Sequence, residues 1–217
     1  MTNDLFDDVQ QNEDANEVIA TGAVLLHGFA AGHSNSLLTA FNEITRLAPL
    51  RQMVTPGGHT MSVTMSNCGL LGWVSDRHGY RYLPRDPTSG EPWPSMPDDW
   101  RTLATQAAAE AGFADFKPDA CLINTYAPGT KMGLHQDRDE QDFTQPIVSI
   151  SLGLSAVFLF GGLRRSDKAE RVRLSHGDVV VWGGPTRLAF HGIAPLAGGA
   201  HPVWGARRIN LTFRRAG

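Results

Sequence analysis

After Lys117-Pro118 the chain reads as eight short strand-like segments divided by turns, and this run constrains the fold more than any other feature. The segments are 120–126, 133–137, 147–153, 156–160, 171–174, 179–182, 187–191 and 208–214. Eight short strands at turn-separated intervals favour a sandwich or jelly roll. The first half differs. Residues 23–26 form a short apolar strand, and 34–47 carry Leu37, Phe41, Ile44 and Leu47 at helical spacing before Pro49. A second helix is expected from Pro97-Asp-Asp-Trp100 through Leu103, Ala107 and Ala111, ending at Gly112, with acids in its first turn. Between 51 and 97 glycine, proline, methionine and aromatic residues predominate without helical period, which predicts short strands with long connections. Helices gathered in the first half would cover one sheet from outside, an α+β arrangement.

A chain of 217 residues suggests one domain, here 19–217, behind a loose acidic tail over 1–18. Residues 1–17 hold six acids and no lysine or arginine; without those six, 19 basic residues face 16 acidic ones. A mildly basic body permits a polyanionic partner without demanding one. The longest apolar stretch, 147–163, is broken by Ser149, Ser151, Gly153 and Ser155 at every second position. That is strand alternation, not a membrane span. The start MTNDLFDD lacks the basic and apolar regions of an export signal. Cys68 and Cys121 are the only cysteines, which argues against a disulfide framework or zinc cluster and fits the cytoplasm.

The chemistry concentrates in Asn124-Thr-Tyr-Ala-Pro-Gly-Thr-Lys-Met-Gly-Leu-His-Gln-Asp137. On an extended strand His135 and Asp137, two apart, point the same way. With a distant histidine, for which His191 is the candidate, they would form the 2-His-1-carboxylate face that binds Fe(II) and leaves three positions open. His-x-Asp alone is a weak signal, and His176-Gly-Asp178 is a second case. Gly177-Asp178 reads as a turn into the 179–182 strand. Alternatively 179–182 and 187–190 pair as a hairpin, which would set Asp178 opposite His191. Spacing alone leaves both sites open, and the absence of any metal as well.

The 208–214 strand points Ile209, Leu211 and Phe213 one way and Arg208, Asn210, Thr212 and Arg214 the other. One reading is a solvated edge strand blunted by arginines. The other is a dicarboxylate grip, because a guanidinium fork matches a carboxylate. Span is a difficulty for a shared grip, since six residues of strand cover roughly 20 Å. By itself Trp73 reads more readily as a core or covering residue than as a stacking platform. Likewise residues 80–85 could be an exposed hairpin, and Asp139 part of a solvated acidic turn.

Taken together, RQMVTPGGHTMSV (51–63), NCGLLGW (67–73), PDACLINTYAPG (118–129), LHQDRDE (134–140), HGDVVVWGG (176–184) and RRINLTFR (207–214) resemble the AlkB family of Fe(II)/2-oxoglutarate-dependent dioxygenases. The likeness runs from about Val24 onward. It implies a double-stranded β-helix (jelly-roll) core with helices over one sheet and a nucleotide-recognition lid over 51–85. It also implies iron on His135, Asp137 and His191, leaving His176-Gly-Asp178 as a turn. Asn124, Tyr126 and Arg208 would hold the distal part of 2-oxoglutarate, with Asn210 and Arg214 near its chelating end. Trp73 would stack on a flipped base against His135; Tyr80, Arg81, Tyr82 and Arg165 would contact the nucleotide, and Asp139 would face the base's exocyclic amine. The implied activity is oxidative demethylation of bases such as 1-methyladenine and 3-methylcytosine in single- or double-stranded DNA, with RNA as a further substrate, using O₂ and releasing formaldehyde, succinate and CO₂. Apart from the resemblance, a monomer is the default expectation, without a membrane partner. The rival readings are a hydroxylase of a protein or small molecule, and a non-catalytic jelly-roll metal-binding module. Thr125, Gly133 and the segment 206–209 depart from the family pattern without removing a catalytic group.

Overall fold

The computed structural model describes residues 16–217. The acidic leader predicted over 1–18 thus lies, up to residue 15, outside the described residues. Its last two positions are not loose: the first strand, β1 (Glu17–Ala20), pairs with β2 (Ala23–Leu26) through Glu17↔Leu25 and Val18↔Val24.

There follow α1 (Ser34–Leu47), β3 (Arg51–Val54), β4 (Thr60–Gly69), β5 (Gly72–Asp76), β6 (Gly79–Leu83) and α2 (Asp98–Glu110). The second half is β7 (Ala120–Tyr126), β8 (Met132–His135), β9 (Ile147–Gly153), β10 (Ala156–Phe160), β11 (Glu170–Leu174), β12 (Val179–Trp182), β13 (His191–Ile193) and β14 (Arg208–Arg214). An eight-stranded sheet runs β1-β2-β12-β9-β14-β7-β4-β3, a four-stranded sheet runs β11-β10-β13-β8, and β5-β6 is a separate hairpin. This two-sheet arrangement is the jelly-roll core.

Side-chain alternation explains the layers. One face of the large sheet presents Ile123, Val148, Ile150, Val179, Val181, Ile209, Leu211 and Phe213 to the helices. Leu37, Phe41 and Ile44 of α1 and Trp100, Leu103 and Ala107 of α2 pack on them, each large apolar side chain contributing roughly 1.5–3 kcal/mol. The alanines of α2 allow close approach. The opposite face, with Met65, Leu122, Ile147 and Trp182, meets Phe158, Phe160, Val172 and Ile193 of the small sheet. The site lies between the sheets.

Several expectations are corrected. The C-terminal strand β14 is no edge: it lies between β9 and β7, and both of its arginines are buried. Residues 187–191 do not form the expected strand. Backbone donors of Thr186, Arg187 and Ala189 close turns onto Gly183, Gly184 and Thr186, and β13 starts only at His191. The rival hairpin is therefore absent, because β12 pairs with β2 and β9. The segment 51–83 has a ten-residue strand and a tight β5–β6 turn in place of short strands and long connections. Leu47, counted with the apolar face of α1, is exposed. Among the described residues, no helix is long and apolar enough to cross a membrane.

Gly153 ends β9 opposite Arg208 with φ +86°, and a Cβ there would lie 2.4 Å from the Arg207 carbonyl oxygen. Gly153→Ala is expected to cost about 1–3 kcal/mol through left-handed strain and forced movement of that backbone. Urea unfolding measures it, and an unchanged midpoint would mean the strand shifts freely.

Candidate metal centre and cavity

His135 and His191 are cross-strand partners in β8 and β13, and their rings lie 4.4 Å apart. Asp137 follows two residues after His135, just beyond the end of β8, which stops short of the predicted 133–137. Ligand atoms of His135, Asp137 and His191 all lie within 4.8 Å of one another. Each imidazole is oriented from behind: Nδ1 of His135 faces the Gly133 carbonyl at 2.9 Å, and Nδ1 of His191 faces that of Ala189 at 3.0 Å. A carbonyl only accepts, so Nδ1 carries the proton and both Nε2 lone pairs turn toward Asp137. Burial, with the neighbouring His135, lowers the pKa of His191 to about 4 and keeps it neutral, as a ligand must be. Burial opposes ionisation of Asp137, but the Arg214 guanidinium outweighs it and holds the carboxyl well below the usual range. Two imidazoles and one carboxylate are a fitting donor set for Fe(II).

Arg214 donates to Asp137 Oδ2 from Nε at 2.9 Å and from Nη2 at 2.6 Å. Its Nε also lies 3.3 Å from Glu140 Oε1. Glu140 Oε1 accepts from the Tyr82 hydroxyl at 2.7 Å, while Oε2 stands 3.2 Å from Arg187 Nη2. Arg187 further donates to the carbonyls of Asp137 and Gln145 at 2.8 and 3.0 Å. Glu140 and Arg187, buried and given no site role by the sequence reading, thus brace the loop that carries Asp137. A charged residue four before His191 was the available signal.

Arg208 is engaged differently. Its Nη2 donates to Ser151 Oγ at 2.9 Å, its guanidinium lies 5.0 Å from the Tyr126 ring centroid, and its Nε and Nη1 have no partner among the described residues. Asn124 Oδ1 is likewise unpartnered. Buried guanidinium donors without acceptors are costly, and an incoming carboxylate would satisfy them. The two arginines of β14 are thus engaged differently: Arg208 is open to an anion, while Arg214 is bonded to Asp137. Asn210 donates to Ser149 Oγ at 2.7 Å and to the Ile150 carbonyl at 3.2 Å, and accepts from Thr212 at 2.9 Å.

A cavity of about 680 Å³ joins these groups. The triad, Asn124, Tyr126, Arg208, Asn210 and Arg214 line it, as do Trp73, Tyr80, Asp139 and Arg165 at its mouth. Buried Asn67 holds Trp73 by its backbone, donating to Trp73 O and accepting from Trp73 N, both at 2.9 Å. The indole donates to Asp139 Oδ2 at 2.8 Å and stacks on Tyr80 with ring centroids 5.6 Å apart. Arg165 lies over Phe190 at 5.4 Å. Two expected contacts fall outside the lining. Arg81 forms a two-bond pair with Asp76, and the Tyr82 hydroxyl is taken by Glu140. In the rival triplet, Asp178 accepts from the backbone of Gly28 and Ser175, and His176 accepts from that of Gly153. Those contacts define a turn.

The family model described as the 2OG-Fe(II) oxygenase superfamily matches residues 22–214. The chain is 58% identical over 200 residues to the alpha-ketoglutarate-dependent dioxygenase AlkB of Salmonella typhimurium, covering 92% of this chain and 93% of that protein. It is 55% identical to the Escherichia coli protein of the same name, covering 99% and 98%. To the human nucleic acid dioxygenase ALKBH1 it is 34% identical, over 57% of this chain and 31% of that one. A solved structure, "The structure of OsALKBH1", superposes with a TM-score of 0.78 at 28% identity, covering 93% of this chain and all of that one.

Burial of neutral His191 makes a pH prediction. An unfolded histidine titrates near 6.5 and the folded one near 4, so between those values only the unfolded chain holds the proton. Stability of the metal-free protein therefore falls as pH drops through that window. Relative to His191→Asn, the wild-type unfolding free energy is expected to decline from pH 6.5 to 4 and to run parallel above 7. Urea titrations with chelator read this out; a constant difference would reject it.

Proposed function

Because the chain belongs to the 2OG-Fe(II) oxygenase superfamily, it is an Fe(II)- and 2-oxoglutarate-dependent dioxygenase that uses O₂, and we propose that it demethylates N-alkylated bases in nucleic acid. The observation that carries this reading is the cavity mouth, where an aromatic plate and a carboxylate sit together over the two-imidazole face.

In this reading His135, Asp137 and His191 hold the metal. Asn124, Tyr126 and the open side of Arg208 hold the distal carboxylate of 2-oxoglutarate, with Asn210 and Arg214 near its chelating end. Bound Fe(II), with 2-oxoglutarate and O₂, supplies the oxidising power that hydroxylates an N-methyl group and leaves succinate and CO₂. The resulting hydroxymethyl amine loses formaldehyde and restores the base. The residues around the base do the selecting. Methylation at adenine N1 or cytosine N3 makes the base cationic, and both the Trp73 face and the Asp139 carboxylate favour a cation. Alkylation that has broken base pairing also lowers the cost of flipping the base out. Tyr80 and Arg165 border the entrance, and Arg81 and Tyr82 act through the hairpin they stiffen, so that 51–85 serves as the lid. Single-stranded DNA is the first substrate, with duplex DNA and RNA to be compared. The triad and the cavity lining are complete within one protomer, so a monomer suffices for the activity, and the free thiols Cys68 and Cys121 support a cytoplasmic setting.

The test is equimolar succinate and formaldehyde from methylated oligonucleotides, with neither above background from unmethylated ones. Methyl-independent succinate would reject the substrate. Trp73→Ala should abolish nucleotide turnover while sparing slow uncoupled 2-oxoglutarate decay, and loss of both together would make Trp73 structural. Arg208→Gln should raise KM for 2-oxoglutarate by about 10–100-fold, the worth of one charge-assisted contact. An unchanged KM would remove Arg208 from that role.

A further inference from the structure

The β10–β11 hairpin carries more positive charge than the cavity uses. Of its five basic residues, Arg164 is paired with Asp167 at 3.0 Å and Lys168 with Glu170 at 3.6 Å. Arg165, Arg171 and Arg173 have no carboxylate within ion-pair reach among the described residues, and all three are exposed. Arg171 and Arg173 occupy alternate positions of β11, whose other positions, Val172 and Leu174, are buried in the core. Both arginines therefore point outward from the same side. Their partners on β10 are Leu159 and Val157, which are half-buried and give apolar footing to the arginine stems. β11 is the edge of the small sheet, and among the described residues no further strand pairs with it. The register also orients the row. Phe160, opposite Glu170, pairs with His191, so Arg171 lies near the metal end of the hairpin and Arg173 farther away.

We propose that Arg171 and Arg173 form a second contact for the substrate strand, binding the phosphodiester backbone beyond the nucleotide held at Arg165. The inference rests on the nucleic-acid reading above. Two guanidiniums spaced by two strand residues, about 7 Å, can engage successive phosphates of an extended strand. Such contacts carry no sequence preference and position the strand without touching the base. They lengthen the footprint, so long substrates gain over short ones. An edge strand that bears unpaired arginines is also shielded against pairing with another sheet. That shielding needs only charge, whereas the footprint needs a polyanion.

The test compares a methylated trinucleotide with a methylated single strand of about 15 nucleotides, using the iron- and 2-oxoglutarate-loaded enzyme. Arg171→Gln/Arg173→Gln should leave kcat/KM on the trinucleotide unchanged and raise KM on the long strand by about 5–10-fold. The salt dependence of long-strand binding should weaken by about 1.4 in log–log slope, as expected for two lost contacts to a single strand. Arg171→Lys/Arg173→Lys should restore most of both, and Arg171→Glu/Arg173→Glu should deepen the defect. Equal long-strand KM and salt slope in wild type and the Gln variant would overturn the proposal, as would a parallel loss on both substrates. Absence of wild-type turnover on both methylated substrates would instead reject the function on which the proposal stands.

Discussion

The site depends on the pairing register between β8 and β13. His135 and His191 come from strands 56 residues apart in the chain, and only their position directly opposite each other turns both imidazoles toward one point. A slip by one residue would send one ring to the other face of the sheet. The register is held from two sides. β13 also pairs with β10, where Phe160 opposes His191 and Phe158 opposes Ile193. At Gly192 the strands approach so closely that a Cβ would sit 2.6 Å from the Met132 carbonyl oxygen, so the residue after the ligand is glycine for steric reasons.

Around that pair the protein concentrates buried charge. Asp137, Glu140, Arg187 and Arg214 form a connected set in which each carboxylate faces at least one guanidinium. Buried ion pairs are weak contributors to net stability, and removal of one partner strands the other. Their value here is geometric: the loop after β8 has no ladder to hold it, and Arg187 and Arg214 fix it instead. Arg208 stands apart as a buried guanidinium with two unpartnered nitrogens. In a mature interior that is a deficit, and it makes sense beside a co-substrate that brings its own carboxylate. The two sheets thus divide the work. The large one carries the open guanidinium of Arg208 and the amides of Asn124 and Asn210 on β7 and β14, and the small one carries two histidines inside and, on its outer face, the unpaired arginines.

Much of this was legible without coordinates. The residue bounds of α1, β2, β7, β9, β10, β12 and β14 follow from periodicity and from apolar runs bounded by turns, although β9, β12 and β14 are buried at every position. The helix layer follows from the same logic. What failed did so for tertiary reasons. Residues 187–190 look like a strand, but Arg187 is drawn inward to the carbonyls of Asp137 and Gln145 and the backbone closes into turns. Glu140 sits in an acidic run that reads as a solvated turn, yet it is buried against Arg187, Arg214 and Tyr82. Asn67 gives no signal that its amide will clamp the backbone of Trp73.

By itself the order of residues determined the local elements, the chemistry available and, through the family motifs, the identity of the donor set. Alternation and helical spacing are short-range properties, and they survive without knowledge of neighbours. Which of two His-x-Asp triplets meets a second histidine is a question of strand pairing over long separations. Which arginine is left open and which is bound is a question of burial and distance. Spacing left the first open until the family motifs chose, and the second came only from the folded chain, because register and desolvation act between segments that the linear sequence keeps apart.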